Sequence, residues 1–293
     1  MKIHNFLPEF TDCMKRWKKV PSLTEFLEQY YNHLAPLTDM IFDGPELYEV
    51  LTEFNWDRYR AGVLDLNPDK EYKRVLAHLK SVEELFGQTL QGEIVLFGSF
   101  ETIDGYARFE KGSHRVFLGV DESYNQGDYL DILMTHELTH VARESQPEVW
   151  TGFGLNPEMT HDEFTECLPV IEHIFSEGFS CAVSEILVPS KETWNYAYQK
   201  KDNMPYLLEH IETLDNRIHL ELRRDQKNNG GDYSSLYRVS QLMPAMPPYS
   251  HYYWAWQWTK QLLKDRVGGD PKKLVAICAK DFVEHALAFN LKQ

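Results

Sequence analysis

The chain carries two kinds of hydrophobic spacing. Through residues 1–90 the apolar positions recur every three or four residues, as in a helix with one buried face. In PSLTEFLEQYYNHL, Ser22 stands three residues before Glu25, the reciprocal arrangement that caps a helix start. DKEYKRVLAHLKSVEELFGQ is a second amphipathic run, stopped by Gly87. The spacing then shortens. GEIVLFGSFETIDGYARFEKGSHRVFLGVD is rich in Val, Ile, Phe and Tyr, with turn signals at Asp104-Gly105 and Lys111-Gly112. It predicts a small antiparallel meander of about three strands over 93–120. A helix over 128–145 follows, with the Asp128 carboxylate placed to cap its first turn. Helical spacing then dominates at 165–188, 192–224, 250–266 and 271–288, and DQKNNGGDYSS and LMPAMPPYS read as loops. Strands and helices are segregated, so the expectation is α+β, predominantly helical, with a small antiparallel-rich sheet. The divisions expected are an N-terminal helical region, 1–90, and a second domain, 91–293.

Composition narrows the partners. The 293 residues suffice for one large domain or two packed lobes. A formal net charge of -15 repels phosphate backbones and anionic lipid, which argues against nucleic acid and membrane surfaces as partners. Lys15-Arg16 and Lys18-Lys19 form the only tight basic cluster, read as a solvated helix face. The four cysteines, Cys13, Cys167, Cys181 and Cys278, are dispersed without a CxxC pair, so free thiols in a reducing compartment are expected. The first twenty residues lack an apolar core with a cleavage site, and no apolar run reaches membrane-span length. A cytoplasmic location follows as an expectation.

The chemistry concentrates in MTHELTHVARE. His136 and His140 are four residues apart, so on a helix their rings share a face and can converge on one ion. Zinc suits such a pair, and it lowers the pKa of a bound water to about 7. Glu137, rotated about 100° from His136, can accept that water's proton as a general base. Met134, Leu138 and Val141 fall opposite His136 and can pack into the core.

A third ligand must come from elsewhere. The extended zincin pattern requires a glycine at position 143 and a histidine at 146, where the chain has Arg143 and Gln146. In IEHIFSEGFSCAVSEIL, Glu177 stands on an apolar-periodic helix, with His173 and Cys181 one turn before and after it as competing ligands. Gly178 would allow this helix to approach the histidine helix closely, which offsets the roughly 1 kcal/mol that glycine costs in a helix interior. His161, Asp162 and Cys167 fall at a loop or helix start, with Asp162 as its cap.

HELTH followed by SEGFSCAVSE resembles the gluzincin type of zinc metallopeptidase. It is most similar to the poorly characterised families of zinc-dependent proteases with HExxH and a later EGxA-like helix. Ser180 stands where those have a small apolar residue. PPYSHYYWAWQWTKQLLKDRVGGDPKKLVAI is similar to their C-terminal element, a proline-rich loop leading into a tyrosine-bearing helix that faces the metal. Its usual glycines are missing: His251 precedes Tyr252, and Ala255 stands one turn later. The resemblance spans about 93–285, and residues 1–90 fall outside it. It implies a zincin active-site helix, with zinc held by His136, His140 and Glu177 and Glu137 as general base. It makes Tyr252 the donor to the oxyanion and pairs an edge strand of the sheet with the substrate backbone, HRVFLGV being the strand nearest the helix. Related peptidases often orient a ligand histidine with a carboxylate four residues after the ligand glutamate. Cys181 occupies that position, so the orienting partner is expected at Glu144 or a backbone carbonyl. The activity implied is zinc-dependent hydrolysis of a peptide or protein substrate. The alternatives are a metal-dependent hydrolase of a non-peptide amide, or a non-catalytic zinc-binding regulatory protein with a fourth protein ligand such as Cys181.

Overall fold

A computed structural model describes residues 1–16, 56–100, 104–110, 112–120, 127–156, 158–228, 236 and 246–291. The helix start at Ser22, the Lys18-Lys19 pair and parts of both expected loops lie outside the described residues. Within them the chain runs β1 (Lys2–Asn5), α1 (Leu7–Arg16), α2 (Trp56–Leu64), α3 (Pro68–Phe86), β2 (Glu93–Phe97), β3 (Gly105–Glu110) and β4 (Ser113–Gly119). It continues through α4 (Tyr129–Glu144), α5 (Pro147–Thr151), α6 (His161–Cys167), α7 (Val170–Leu187), α8 (Met204–Glu209), α9 (Ile211–Asn228), α10 (Ser250–Val267) and α11 (Val283–Ala288). The fold is α+β and predominantly helical around a small mixed sheet. Among the described residues no helix is long and apolar enough to cross a membrane.

The sheet differs from the expected meander. Its order is β1-β2-β4-β3; β1 pairs parallel with β2, β2 parallel with β4, and only β3 and β4 are antiparallel. Lys111 lies outside the described residues; beside it Gly112 takes φ +75°, where glycine is favoured, and Glu110 pairs with Ser113. Asp104-Gly105 makes no hairpin; it opens β3 at the sheet's edge. The chain therefore leaves β2, runs to the edge and returns along β4 between the two. β1 was hidden because KIHN has neither length nor alternation; its pairing with β2 defines it. The central strands are buried on both faces, through Ile94, Val95, Leu96 and Phe97 on β2 and Val116, Phe117 and Leu118 on β4. That explains why they read as continuous apolar runs.

α3 matches its sequence signals closely. Asn67 accepts a bond from the Lys70 N–H, Pro68 occupies the first turn, and Gly87 ends the helix at φ +67°. α4 starts at the expected place, but the Asp128 side chain makes no capping bond. Its burial is also broader than one face: every residue from Ile132 to Arg143 is buried. The expected helix over 165–188 is two helices. Pro169 lacks an N–H and holds Leu168 extended (φ -66°, ψ 119°), which separates α6 from α7. Thr160, in a capping box with Glu163, caps α6; Asp162 lies inside its first turn.

Two contacts lock the helices that carry the chemistry. Arg143 of α4 donates from Nε and Nη2 to the two carboxylate oxygens of Glu172 on α7, at 2.7 and 2.6 Å. Its Nη1 also donates to the carbonyls of Val275 and Ile277. The pair is fully buried, and a planar fork meeting a carboxylate fixes orientation as well as distance. Gly178 of α7 supplies the second contact. A Cβ there would stand 2.3 Å from the Ala255 carbonyl oxygen, so the glycine admits α10 rather than the histidine helix α4.

Candidate metal centre

α4 and α7 cross so that His136, His140 and Glu177 meet, all buried. His136 Nε2 lies 3.0 Å from His140 Nε2 and 3.1 Å from Glu177 Oε2, and His140 Nε2 lies 3.4 Å from the same oxygen. Two donors bound to one tetrahedral zinc ion at about 2.0–2.1 Å stand roughly 3.3 Å apart. The three edges bracket that value, so the triangle fits a single ion of zinc's size. The donor set, two imidazole nitrogens and one carboxylate oxygen, is a metal-binding set.

The far side of each ring is also held. His140 Nδ1 is 2.9 Å from Ser176 Oγ, and His136 Nδ1 is 3.8 Å from Cys181 Sγ. These groups turn both Nε2 atoms toward the centre. Cys181 thus sits behind a ligand rather than among the donors. Glu144, the expected orienting group, lies instead 3.4 Å from His114. His173 is also displaced: its Nδ1 is 3.9 Å from Glu177 Oε1, while its Nε2 faces His251 Nε2 at 3.4 Å.

Burial sets much of the electrostatics. It pushes His136 down to about 4, His173 to about 4 and His251 to about 3, so these rings are neutral at neutral pH. Burial would lower His140 too, but the Glu177 carboxylate beside it wins and raises it to about 9. For Glu177 burial acts upward, yet the His140 charge and the bonds to both histidines hold it well below the usual carboxylate range. Glu137 is raised to about 8, first by burial, with the charge of Glu177 adding to it; His140 and a hydrogen bond from the Ala107 N–H oppose this. A divalent cation in the triangle would add a strong opposing charge and favour the Glu137 carboxylate.

Glu137 opens with the triangle onto a cavity of about 410 Å³. Gly105, Tyr106 and Ala107 of β3 form one wall, which makes β3, not the interior β4, the edge strand at the site. Tyr252 of α10 lines the cavity as well, its ring stacked on His136 with centroids 6.2 Å apart. Thus all five residues singled out in the sequence, His136, Glu137, His140, Glu177 and Tyr252, reach one place. Tyr198, which follows a 3-10 turn over Thr193–Ala197, also lines it and meets His136 edge-on at 5.0 Å. Neither Tyr198 nor Ser176 belongs to a spaced pattern, so neither could be read from sequence. Comparison of the chain with family profiles, with curated proteins and with solved structures yields no match.

Proposed function

We propose that the protein is a zinc-dependent peptidase of the gluzincin type. The observation that carries this reading is the buried triangle of His136, His140 and Glu177, with Glu137 beside it on the same cavity. Three protein donors with room for a further ligand are the pattern of catalytic rather than structural zinc. Zinc bound there would supply a Lewis acid that makes water more acidic and polarises a carbonyl oxygen.

The chain's own residues supply the rest. The Glu137 carboxylate takes the proton from the attacking water and returns it to the leaving amine nitrogen. The Ala107 N–H favours the ionised form of that carboxylate. Leu133, buried on the cavity wall, limits access of further water. β3 stands at the sheet's edge along the cavity, the position from which a sheet takes up an extended chain. That favours a peptide backbone over another amide. The position of Cys181 behind His136 supports a three-ligand catalytic centre over a four-ligand structural one.

The test combines metal analysis with turnover of internally quenched peptides. The expected result is one zinc per chain and hydrolysis that a chelator abolishes. Glu137→Gln should keep the zinc and lose about 10²–10⁴-fold in kcat, the usual contribution of general-base catalysis. A purified protein without stoichiometric metal, or a fully active Glu137→Gln variant, would reject the proposal.

A further inference from the structure

Glu144 is a carboxylate on the cavity that the proposed reaction leaves unused. Positions 136, 140 and 144 of α4 recur every four residues, so Glu144 follows the two histidines along one helix face, about 6 Å beyond His140. It lines the same cavity of about 410 Å³, and its charge reaches His140. Its side chain keeps 15% of its surface exposed, which leaves it accessible to a bound molecule.

The chain itself leaves this charge largely uncompensated. Among the described residues no lysine or arginine pairs with Glu144. Its ion-pair neighbour is His114, whose Nε2 stands 3.4 Å from Oε2 without making a hydrogen bond. Arg143, next to it, is committed to Glu172 and to the carbonyls of Val275 and Ile277. Glu144 also ends α4, where the helix carbonyls carry partial negative charge, a position that disfavours an acid and draws a cation. Asp104 lines the cavity too, but its Oδ2 already accepts the Tyr129 hydroxyl at 2.5 Å.

The wall at this end is apolar. Trp150 Nε1 donates to the Glu144 carbonyl at 2.6 Å, and the Trp150 ring packs against Phe164 with centroids 4.7 Å apart. That puts Phe164 at the Glu144 end of the cavity, with Leu168 in the same cluster.

We propose that Glu144, Phe164 and Leu168 form the subsite for a long basic side chain, lysine or arginine, of the peptide substrate. The proposal rests on the peptidase reading above. The methylenes of such a side chain cover the apolar wall while its cationic head meets the carboxylate. A free α-amino group has no stem to cover that wall. An extended chain advances about 3.3 Å per residue, so a subsite about 6 Å past His140 serves a residue within about two of the scissile bond.

The test uses the full-length, zinc-loaded protein and internally quenched peptides capped at both ends. The peptides differ only in arginine or norleucine at one of the two residues on either side of the scissile bond. At one of these positions arginine should raise kcat/KM about 10–100-fold over norleucine, the worth of a hydrogen bond to a charged group. In Glu144→Gln that ratio should fall to near one; in Asp104→Asn it should persist. A wild type indifferent to arginine at every position overturns the proposal without need of a variant. So does a ratio that survives Glu144→Gln or vanishes in Asp104→Asn. Cleavage that demands a free amino terminus also overturns it, because the cation recognised is then the α-amino group. A wild type that cleaves no peptide removes the peptidase reading and this proposal together, whereas an active wild type without the arginine preference removes this one alone.

Discussion

The histidines of the candidate metal centre were visible in the sequence because helix geometry fixes them. Residues four apart lie on one face whatever the helix packs against, so His136 and His140 needed no tertiary information. Glu177 was the best of three candidates on its helix, and only the crossing of α4 and α7 separates it from His173 and Cys181. The groups behind the ligands were not readable, since they depend on that crossing alone. Ser176 is the clearest case: a serine adjacent to the ligand glutamate has no spacing signal, yet its Oγ lies 2.9 Å from His140 Nδ1. Losing such an orienting partner typically costs 10–100-fold in metal affinity. Ser176→Ala should therefore weaken zinc binding by about tenfold or more, measured by competition with a chromogenic chelator, with the fold retained. An unchanged zinc affinity would mean that the serine does not orient the ring.

Elements were readable where a local signal sufficed and misread where a neighbour decided. α3 has its cap, its first-turn proline and its terminal glycine written in sequence, and its ends agree with them. The sheet does not work this way, because pairing β2 with β1 and β4 in parallel involves residues far apart in the chain. Gly178 lies between these cases. Its small size did signal a close helix approach, but the partner is α10. One residue past Glu177 the helix surface has turned by about 100°, away from α4. Gly178→Ala sets two effects against each other. Alanine gains about 1 kcal/mol of helix propensity. Its Cβ, however, would sit 2.3 Å from the Ala255 carbonyl oxygen and 2.5 Å from that carbonyl carbon, and neither backbone atom can swing away. Overpacking of this kind costs roughly 1–3 kcal/mol, so the clash should win. Urea unfolding should show a net loss of stability; a neutral or stabilised variant would show that α7 and α10 are not so tightly packed.

At the scale of the molecule, α4, which carries the two histidines, is held from both sides. α7 clamps it through Arg143 and Glu172, and α3 grips its first turn through a polar cluster. There Arg74 donates to Asp131 from both Nε and Nη2, and to Glu71 from Nη1, while His78 lies 2.6 Å from the same Asp131 oxygen. His78 Nδ1 is in turn 3.1 Å from Thr135 Oγ1, one residue before His136. Residues outside the recognisable motifs thus position the centre. Burial alone would raise the Asp131 carboxyl, but the bonds from Arg74 and His78 pull it far below its usual value. A depressed folded-state pKa gives a definite sign. The stabilisation is complete well above the unfolded value of about 3.9 and is lost as pH falls from there toward the folded value. Asp131→Asn removes the titrating group while keeping the shape. The gap in unfolding midpoint between wild type and this variant should be widest above about pH 5 and should narrow progressively below about pH 4. Other titrating groups, the histidines of the metal centre among them, act on both proteins and largely cancel in the difference. A gap that stays constant from neutral pH into the acid range would show that the cluster joins α3 to α4 by packing rather than by charge.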